Sequence, residues 1–348
     1  MKPILSPRSA SHRTATLQSI AEAAGVHRST AARALDPAQS HRISAEVVHR
    51  VQAEAHRQGY RRDAIAASLR TGRSRLIGVV VPDLANPVFA PILDGIGEHL
   101  AGMGYSMLVA DGGANEASQI KIVEELIARR VDGLVLATAK RQDPVLTVCL
   151  DAGIPTVLVN RREDGLRTSS IVTDDVGGMK LAVEHLASIG HRRIGHLAGP
   201  NDLSTGVLRR KGFDDAMAAA MLDPSAVVTA SEYSRPAGQV ATAALLDHWT
   251  DLTAIAASND LLALGALLEL KRRGIACPDR ISVIGHNDMP LVDMVDPPLT
   301  TVNIGHASMG QAAARNLLER ISEKNMKPSA VLIAANLIVR ASTARPGR

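Results

Sequence analysis

The hydrophobic positions near the start of the chain return at the spacing of short α-helices. Between Leu17 and Leu35 they fall into two groups separated by Gly25, a residue suited to a tight turn. A third helical pattern starts after Ser44, which is placed as its N-cap, and continues to Gly59. The pattern therefore predicts a small domain of three helices, of which the first two form a helix-turn-helix.

From Leu76 onward, short apolar runs alternate with helical segments. The predicted strands cover 76–81, 105–110, 131–137, 155–160, 169–173, 192–199, 226–230, 253–258 and 281–285. The predicted helices cover 90–103, 116–129, 179–189, 205–221, 238–246 and 261–273. Apolar strands that alternate with helices are typical of parallel sheets covered on both faces, and two such sets predict two lobes. Ligands of such sheets bind beyond the carboxyl ends of the strands, so a small molecule is expected between the lobes.

The segment from Arg61 to Arg75 joins the helical domain to the strands. Asp63 is suited to cap a short helix that runs to Arg70, and a polar linker follows. Because so short a helix does not offset its nucleation cost alone, we expect it to fold fully on DNA, with Leu69 as an apolar wedge in the minor groove. The alternative is that Leu69 packs on the helical domain, and the spacing does not decide between the two.

Charge divides the chain at the same place. Residues 1–75 hold 13 Lys and Arg against 5 Asp and Glu, a net charge of +8, whereas residues 76–348 hold 26 against 30, a net charge of −4. A basic end on a mildly acidic body is typical of a protein whose one end binds a polyanion.

Several classes of protein are excluded by the composition. The polar, basic start has no apolar core of a signal peptide, and no stretch approaches 18 apolar residues, so we expect a cytoplasmic protein without a membrane segment. Cys149 and Cys277 are isolated, which favours buried small hydrophobes over metal ligands. The run VLIAANLIV near the C-terminus is strand-like, and the absence of heptads after residue 325 disfavours a tetramer through a coiled coil.

The second helix of the helix-turn-helix carries the candidate chemistry for DNA. Its polar face presents His27, Arg28, Ser29, Ala32 and Arg33, which are short or donor-bearing side chains. A major groove admits one α-helix, and such side chains reach base edges there. Helix pairs joined by glycine also occur in many domains that do not bind DNA, and the basic charge of the region favours the DNA interpretation.

The whole chain resembles the LacI/GalR (lactose-repressor/galactose-repressor) family of bacterial transcription regulators. The motifs that carry the resemblance are TLQSIAEAAGVHRSTAARAL, RISAEVVHRVQAEAHRQGY, AIAASLRTGRSRLIGVVVPDLANPVF, GHRRIGHLAGP, RRKGF, SNDLLALG, ISVIGHND and PPLTTV. The resemblance implies an all-α helix-turn-helix headpiece and an α/β two-lobed core like that of periplasmic binding proteins, with parallel sheets. It divides the chain into a basic tail (1–15), the headpiece (16–62), a hinge helix and linker (63–75) and a core for effector binding and dimerisation (76–348).

The resemblance also implies roles for residues at the DNA. Arg28 and Ser29 fall on the recognition-helix positions that most often choose bases, Ala32 and Arg33 lie beside them, and Leu69 falls on the hinge leucine inserted into the minor groove. The full set of expected DNA-binding residues is Thr16, His27, Arg28, Ser29, Ala32, Arg33, Ser44 and Leu69. The chain departs from the family where His27 replaces a capping serine, where Ala31 and Ala32 replace Val-Ser, and where Asp63 replaces asparagine. Histidine is expected to be a poorer cap than serine.

In the core, the resemblance implies a cleft for a small polar effector. The expected ligand-binding residues are Asp83, Phe89, Asn160, Arg209, Tyr233, Asn259 and Asn287. Arginine forks onto carboxylates or paired hydroxyls, amides donate and accept, and aromatic rings lie against a sugar ring. Asn287 stands where many sugar-binding members have aspartate, which makes a sugar acid more tolerable. Each Asn or Asp at a strand end also fits a helix cap, and Asp174 and Asp260 are equally consistent with capping.

Two other functions, those of an enzyme and of a solute-binding protein, fit the sequence less well than that of a regulator. An enzyme is disfavoured because the chain has no glycine-rich phosphate loop between a strand and a helix, no nucleophile elbow and no metal-ligand spacing. A solute-binding protein fits the two lobes but not the basic headpiece. The sequence therefore predicts a homodimeric repressor, with no cofactor, metal or membrane partner, that binds a palindromic operator and responds to a sugar or sugar acid.

Overall fold

The structure is a computed structural model that describes residues 15–36, 39–60, 72–113, 115–323 and 325–347. The chain forms two compact units, Met1–Ser74 and Arg75–Arg348. Residues 1–14 of the predicted tail lie outside the described residues, and so do residues 63–71 of the predicted hinge segment, which include Asp63 and Leu69.

The first unit contains the predicted helix-turn-helix. Its helices are α1 (Leu17–Ala23), α2 (Arg28–Ala34) and α3 (Ala45–Arg57), with a short 3-10 helix at Ser40–Arg42. Gly25 makes the turn between α1 and α2 with a φ of 65°. A core of small side chains joins the three helices: Ile20, Ala21, Ala24, Ala31, Ala34, Val51 and Ala55. Tyr60, which lies just after α3, packs against this core.

Each headpiece helix begins in a different way. Thr16 and Ser19 form a capping box at α1, in which each side chain bonds the other's backbone N–H. His27 caps α2, because its Nδ1 accepts the backbone N–H of Ser29 at 3.2 Å, so the histidine does serve in place of the serine. Ser44 occupies the N-cap position of α3, but its side chain makes no cap hydrogen bond, contrary to the expected capping role.

The second unit, hereafter the core, consists of alternating strands and helices. Its strands are β1 (Leu76–Val81), β2 (Ser106–Asp111), β3 (Gly133–Leu136), β4 (Thr156–Val159), β5 (Ser169–Thr173), β6 (Ile194–Ala198), β7 (Val227–Thr229), β8 (Ala254–Ala257), β9 (Ser282–Asn287), β10 (Thr300–Asn303), β11 (Ala330–Ile333) and β12 (Asn336–Ile338). Its helices are α4 (Phe89–Gly102), α5 (Glu116–Ala128), α6 (Pro144–Asp151), α7 (Asp175–Ser188), α8 (Ser204–Ala219), α9 (Arg235–His248), α10 (Asp260–Arg272) and α11 (His306–Ser322).

The core has two lobes, each built on a six-stranded sheet. Lobe 1 has the strand order β11-β5-β4-β3-β1-β2, and all of its strand pairs are parallel. Lobe 2 has the order β12-β10-β9-β8-β6-β7, and only the β10–β12 pair is antiparallel. In lobe 1 the sheet lies between α4 with α11 and α5 with α6; in lobe 2 it lies between α7 with α8 and α9 with α10. The predicted two-lobed parallel architecture is confirmed.

The chain passes between the lobes three times: from β5 to α7, from β10 to α11, and from β11 to β12. The last passage corrects the prediction for VLIAANLIV, because this run is not one strand. It supplies an edge strand to each lobe, with Ala334 and Ala335 between them. Within the described residues, the structure contains no helix that is both long enough and apolar enough to span a bilayer.

Candidate functional site

The exposed face of α2 carries most of the side chains predicted for DNA recognition. His27, Arg28, Ser29 and Arg33 are exposed and Ala32 is half-buried. The opposite face is fixed, since Ala31 and Ala34 are buried in the headpiece core. The helix therefore presents two guanidinium groups and a hydroxyl from a backbone held in place by apolar packing.

Two further predicted residues lie at the starts of neighbouring helices. Thr16 and Ser44 are both exposed. The hydroxyl of Thr16 is used within the capping box, and the hydroxyl of Ser29 lies 2.8 Å from Nδ1 of His27. The remaining predicted residue, Leu69, lies outside the described residues.

The core contains a cavity between its lobes at the carboxyl ends of the strands. It is lined by Asn86, Val88, Phe89, Asn160, Arg161, Thr205, Arg209, Tyr233, Asn259 and Asn287. Six of the seven predicted ligand-binding residues thus meet in one place. The cavity volume is about 20 Å³, which is space for about one water molecule, whose minimum is roughly 10–15 Å³.

Asp83, the seventh predicted residue, is not among the lining residues. Its side chain is exposed, and its Oδ1 accepts the backbone N–H of Ala85 at 2.8 Å. The carboxylate forms a local turn that leads into α4, and Asn86, three residues later, lines the cavity instead. Asp83 thus forms a turn at the start of this segment, and its expected contact with a ligand stays a prediction.

Arg209 lies at the centre of the cavity wall in a buried ion pair. Its Nε donates to Oδ1 of Asp175 at 2.7 Å, and its Nη1 donates to the carbonyl of Ser258 at 2.6 Å. The side chains of Arg209 and Asp175 are 3% and 2% exposed. Burial raises the pKa of Asp175, and the positive charge of Arg209 opposes that rise. The guanidinium is thus fixed in orientation by two groups of lobe 2.

Two asparagines reach the cavity from unusual backbone conformations. Asn160 directly follows β4 with a φ of 64°, and Asn287 ends β9 with a φ of 122°. Asparagine tolerates positive φ better than most residues, and such conformations cluster at functional sites. Oδ1 of Asn287 is buried and has no hydrogen-bond partner within the described residues, so it is available to a donor in the cavity.

The other acidic and amide groups near the strand ends serve mainly in capping. Asn259 caps α10 through Leu262 N–H, while still lining the cavity, and Asp174 caps α7 through Gly177 N–H. Asp260 is not a cap: it accepts from the Thr301 hydroxyl at 2.5 Å and from Met289 N–H at 2.8 Å. Burial raises the pKa of Asp260 to about 6.

Sequence reasoning missed three polar residues of the cavity: Asn86, Arg161 and Thr205. Arg161 was detectable in principle, since it directly follows Asn160 at the end of an apolar strand. The hydroxyl of Thr205 faces that of Tyr233 without the geometry of a full hydrogen bond. The cavity therefore offers amides, hydroxyls and guanidinium groups to a ligand.

Polar contacts join the two lobes outside the cavity lining. Nζ of Lys140, which follows β3 in lobe 1, lies 3.2 Å from the carboxylate of Asp202 in lobe 2. The backbone N–H of Arg141 donates to the carbonyl of Asp202 at 3.0 Å. These contacts hold the lobes together on one side of the cavity.

Comparisons with known proteins agree with this architecture. A model of the periplasmic binding protein-like domain matches residues 183–343. An uncharacterized HTH-type transcriptional regulator from the aml 5′ region of Streptomyces limosus is 33% identical over 348 residues, covering 97% of both chains. The HTH-type transcriptional regulator CelR of Thermobifida fusca is 31% identical over 340 residues, covering 95% of this chain and 98% of that protein.

Solved structures agree as well. The lac repressor dimer bound to operator and the anti-inducer ONPF matches with a TM-score of 0.84 and 28% identity, covering 95% of this chain and all of that chain. The CelR–cellobiose complex matches with a TM-score of 0.73 and 29% identity, covering 94% and 99%. These relatives are DNA-binding regulators rather than enzymes. The chain described here belongs to the LacI/GalR family of helix-turn-helix transcription regulators.

Proposed function

We propose that this protein is a cytoplasmic repressor that binds a palindromic operator as a homodimer. Its affinity for the operator falls or rises when a sugar or sugar acid binds between the core lobes. The observation that carries the proposal is the exposed polar face of α2, whose backbone is fixed by buried alanines. A rigid helix with exposed Arg28, Ser29 and Arg33 is suited to a major-groove half-site.

Dimerisation follows from the size of the headpiece and from the nature of its target. Three short helices offer little surface for stable association, so the dimer contact belongs to the core. Two headpieces then read an inverted repeat, and support comes from the lac repressor, whose solved structure is a dimer on its operator. Leu69, outside the described residues, is proposed to open the minor groove at the centre of the repeat.

The effector site is proposed to be the cavity that Phe89, Asn160, Arg209, Tyr233, Asn259 and Asn287 line. The related CelR binds cellobiose in its solved complex, which supports a carbohydrate-like ligand. Sites for small molecules commonly have volumes of about 300–1,000 Å³, whereas this cavity measures about 20 Å³. Binding of a ligand therefore requires the lobes to move apart. The resulting change in the angle between the lobes is proposed to change the DNA affinity of the headpieces through the hinge.

The experiment that tests the DNA function is selection of bound duplexes from a random pool by the purified full-length protein. We expect enrichment of an inverted repeat and a steep loss of affinity with salt, because phosphate contacts release counterions. Substitution Leu69→Ala should weaken binding to the selected duplex much more than binding to an unrelated one. If no duplex is enriched while small molecules still bind the core, the protein is a receptor without specific DNA binding and the proposal is wrong.

A further inference from the structure

Arg161 lines the cavity without a carboxylate partner among the described residues. Its Nε is shielded from solvent and has no hydrogen-bond partner within the described residues, and no ion pair with a described residue involves its guanidinium. By contrast, Arg209 on the same cavity is neutralised by Asp175 at 2.7 Å. Burial, with a smaller contribution from Arg209, lowers the pKa of Arg161, although an arginine stays protonated in water.

No acidic side chain among the described residues forms an ion pair with Arg161. Among the described residues that line the cavity, none is acidic, and four are asparagines: Asn86, Asn160, Asn259 and Asn287. The carboxylate of Asp202, whose charge acts on Arg161, forms an ion pair with Lys140 at 3.2 Å. Asp260, behind the cavity, is bound to donors of lobe 2. Of the two guanidinium groups that line the cavity, that of Arg161 is therefore the one without a carboxylate partner among the described residues.

A shielded donor of a charged group is costly when it has no acceptor, and Nε of Arg161 is such a donor within the described residues. A ligand that supplies an acceptor of opposite charge removes that cost. We propose that the ligand of this cavity carries one carboxylate, which Arg161 binds, and several hydroxyl groups, which the surrounding asparagines bind. The ligand class is thus a polyhydroxy acid such as an aldonic or uronic acid, rather than a neutral sugar. This inference rests on the proposed function, since it assigns the chemical class of the effector at the same site.

A ligand with one carboxylate matches the one lining guanidinium that has no carboxylate partner among the described residues. A phosphate monoester brings roughly −1.5 to −2 at neutral pH, which exceeds the charge of one guanidinium. The planar fork of a guanidinium also fits both oxygens of a carboxylate. The asparagine amides both donate to and accept from the hydroxyl groups of such a ligand. A cavity lined with carboxylates would instead repel the negative charge of an acid.

The test measures binding to the full-length protein by calorimetry, with matched pairs of compounds. The probes are D-glucose, D-gluconate and D-glucuronate, D-galactose, D-galactonate and D-galacturonate, with D-glucose 6-phosphate as the phosphate arm. We expect an acid to bind at least ~30-fold more tightly than its neutral counterpart, and Arg161→Gln to remove that preference. Arg161→Lys should keep part of it. Arg210→Gln is the control, because Arg210 pairs with Asp214 and does not line the cavity.

The stability of the ligand-free variant gives a second readout. Because Arg161 has no described ion-pair partner, Arg161→Gln should leave the thermal midpoint of the free protein unchanged or raise it, and a clear drop would mean that the arginine is structural and would overturn the inference. Equal binding of neutral and acidic members, tighter binding of the phosphate, or binding of none of the probes would overturn it too. Retention of a specific duplex in those cases leaves the proposed function standing, whereas loss of specific DNA binding by the wild-type protein would overturn that function instead.

Discussion

Exchanging Asp175 for asparagine should destabilise the core by an amount that the geometry allows us to bound. The substitution keeps the shape of the side chain and an oxygen that can accept from Nε, but it removes the negative charge that neutralises the guanidinium of Arg209, which is 3% exposed. Breaking one side of a buried ion pair costs about 3–5 kcal/mol, because the other charge stays buried and unpaired. For a domain of this size that corresponds to a drop in Tm of roughly 6–10 °C, at about 2 °C per kcal/mol.

The assay is thermal unfolding followed by the fluorescence of Trp249, the single tryptophan of the chain, which packs against the apolar core of lobe 2. Asp174→Asn is the matched control, because Asp174 is an exposed N-cap and asparagine caps equally well. The double variant Asp175→Asn/Arg209→Met should recover most of the loss, since no charge is left buried. A change in Tm below 2 °C for Asp175→Asn, or a double variant as unstable as the sum of both single variants, would refute this reasoning.

Three further outcomes are expected. Burial raises the pKa of Asp260 from an ordinary 3.8 to about 6, so its contribution to folding stability is present at low pH and is lost as the pH rises through 6. Between pH 4.5 and 7.5 the free energy of unfolding of the wild type should fall by about 2 kcal/mol relative to that of Asp260→Asn. A constant difference between the two proteins would contradict this prediction. Gly95→Ala should lower the free energy of unfolding by about 1–3 kcal/mol, because the added Cβ would overlap the backbone of Ala307 where α4 meets α11. Urea unfolding measures the loss, and the control is Gly102→Ala, whose added Cβ meets open space. His27→Ala should destabilise the headpiece by about 1 kcal/mol, whereas His27→Ser should not. The measurement is the loss of helix content on heating. An equal loss of stability in the two variants would mean that the side-chain cap of α2 is unimportant.

The sequence predicted the architecture well where each segment carried its own signal. The strands from β1 to β9 are continuous apolar runs of the kind that parallel sheets bury on both faces, so their positions were readable. Helix α11 was not among the predicted helices. It begins at Gly305 in a left-handed conformation without a side-chain cap, and small residues such as Gly310 blur its apolar face. Its packing against α4, rather than its local pattern, defines it.

The site was only partly predictable for a related reason. A position at the end of a strand indicates that a residue is near the cleft, but not which way its side chain is used. Asp83 satisfies a nearby N–H. Arg161, one residue beyond an expected position, lines the cavity, and its Nε bonds to none of the residues that the structure describes. Hydrogen-bond partners come from the tertiary structure, and a single sequence does not encode them locally.

The two edge strands β11 and β12 have a consequence for how the protein matures on the ribosome. Each sheet receives one of its six strands from the stretch Ala330–Ile338, so neither lobe is complete until that stretch has been synthesised. At about 5–20 residues per second, translation of the residues between the headpiece and β11 takes on the order of tens of seconds. The headpiece, whose three helices pack against one another in a core of their own, can fold throughout that time. A nascent chain is thus expected to display a finished DNA-binding module well before it possesses an effector site to control it.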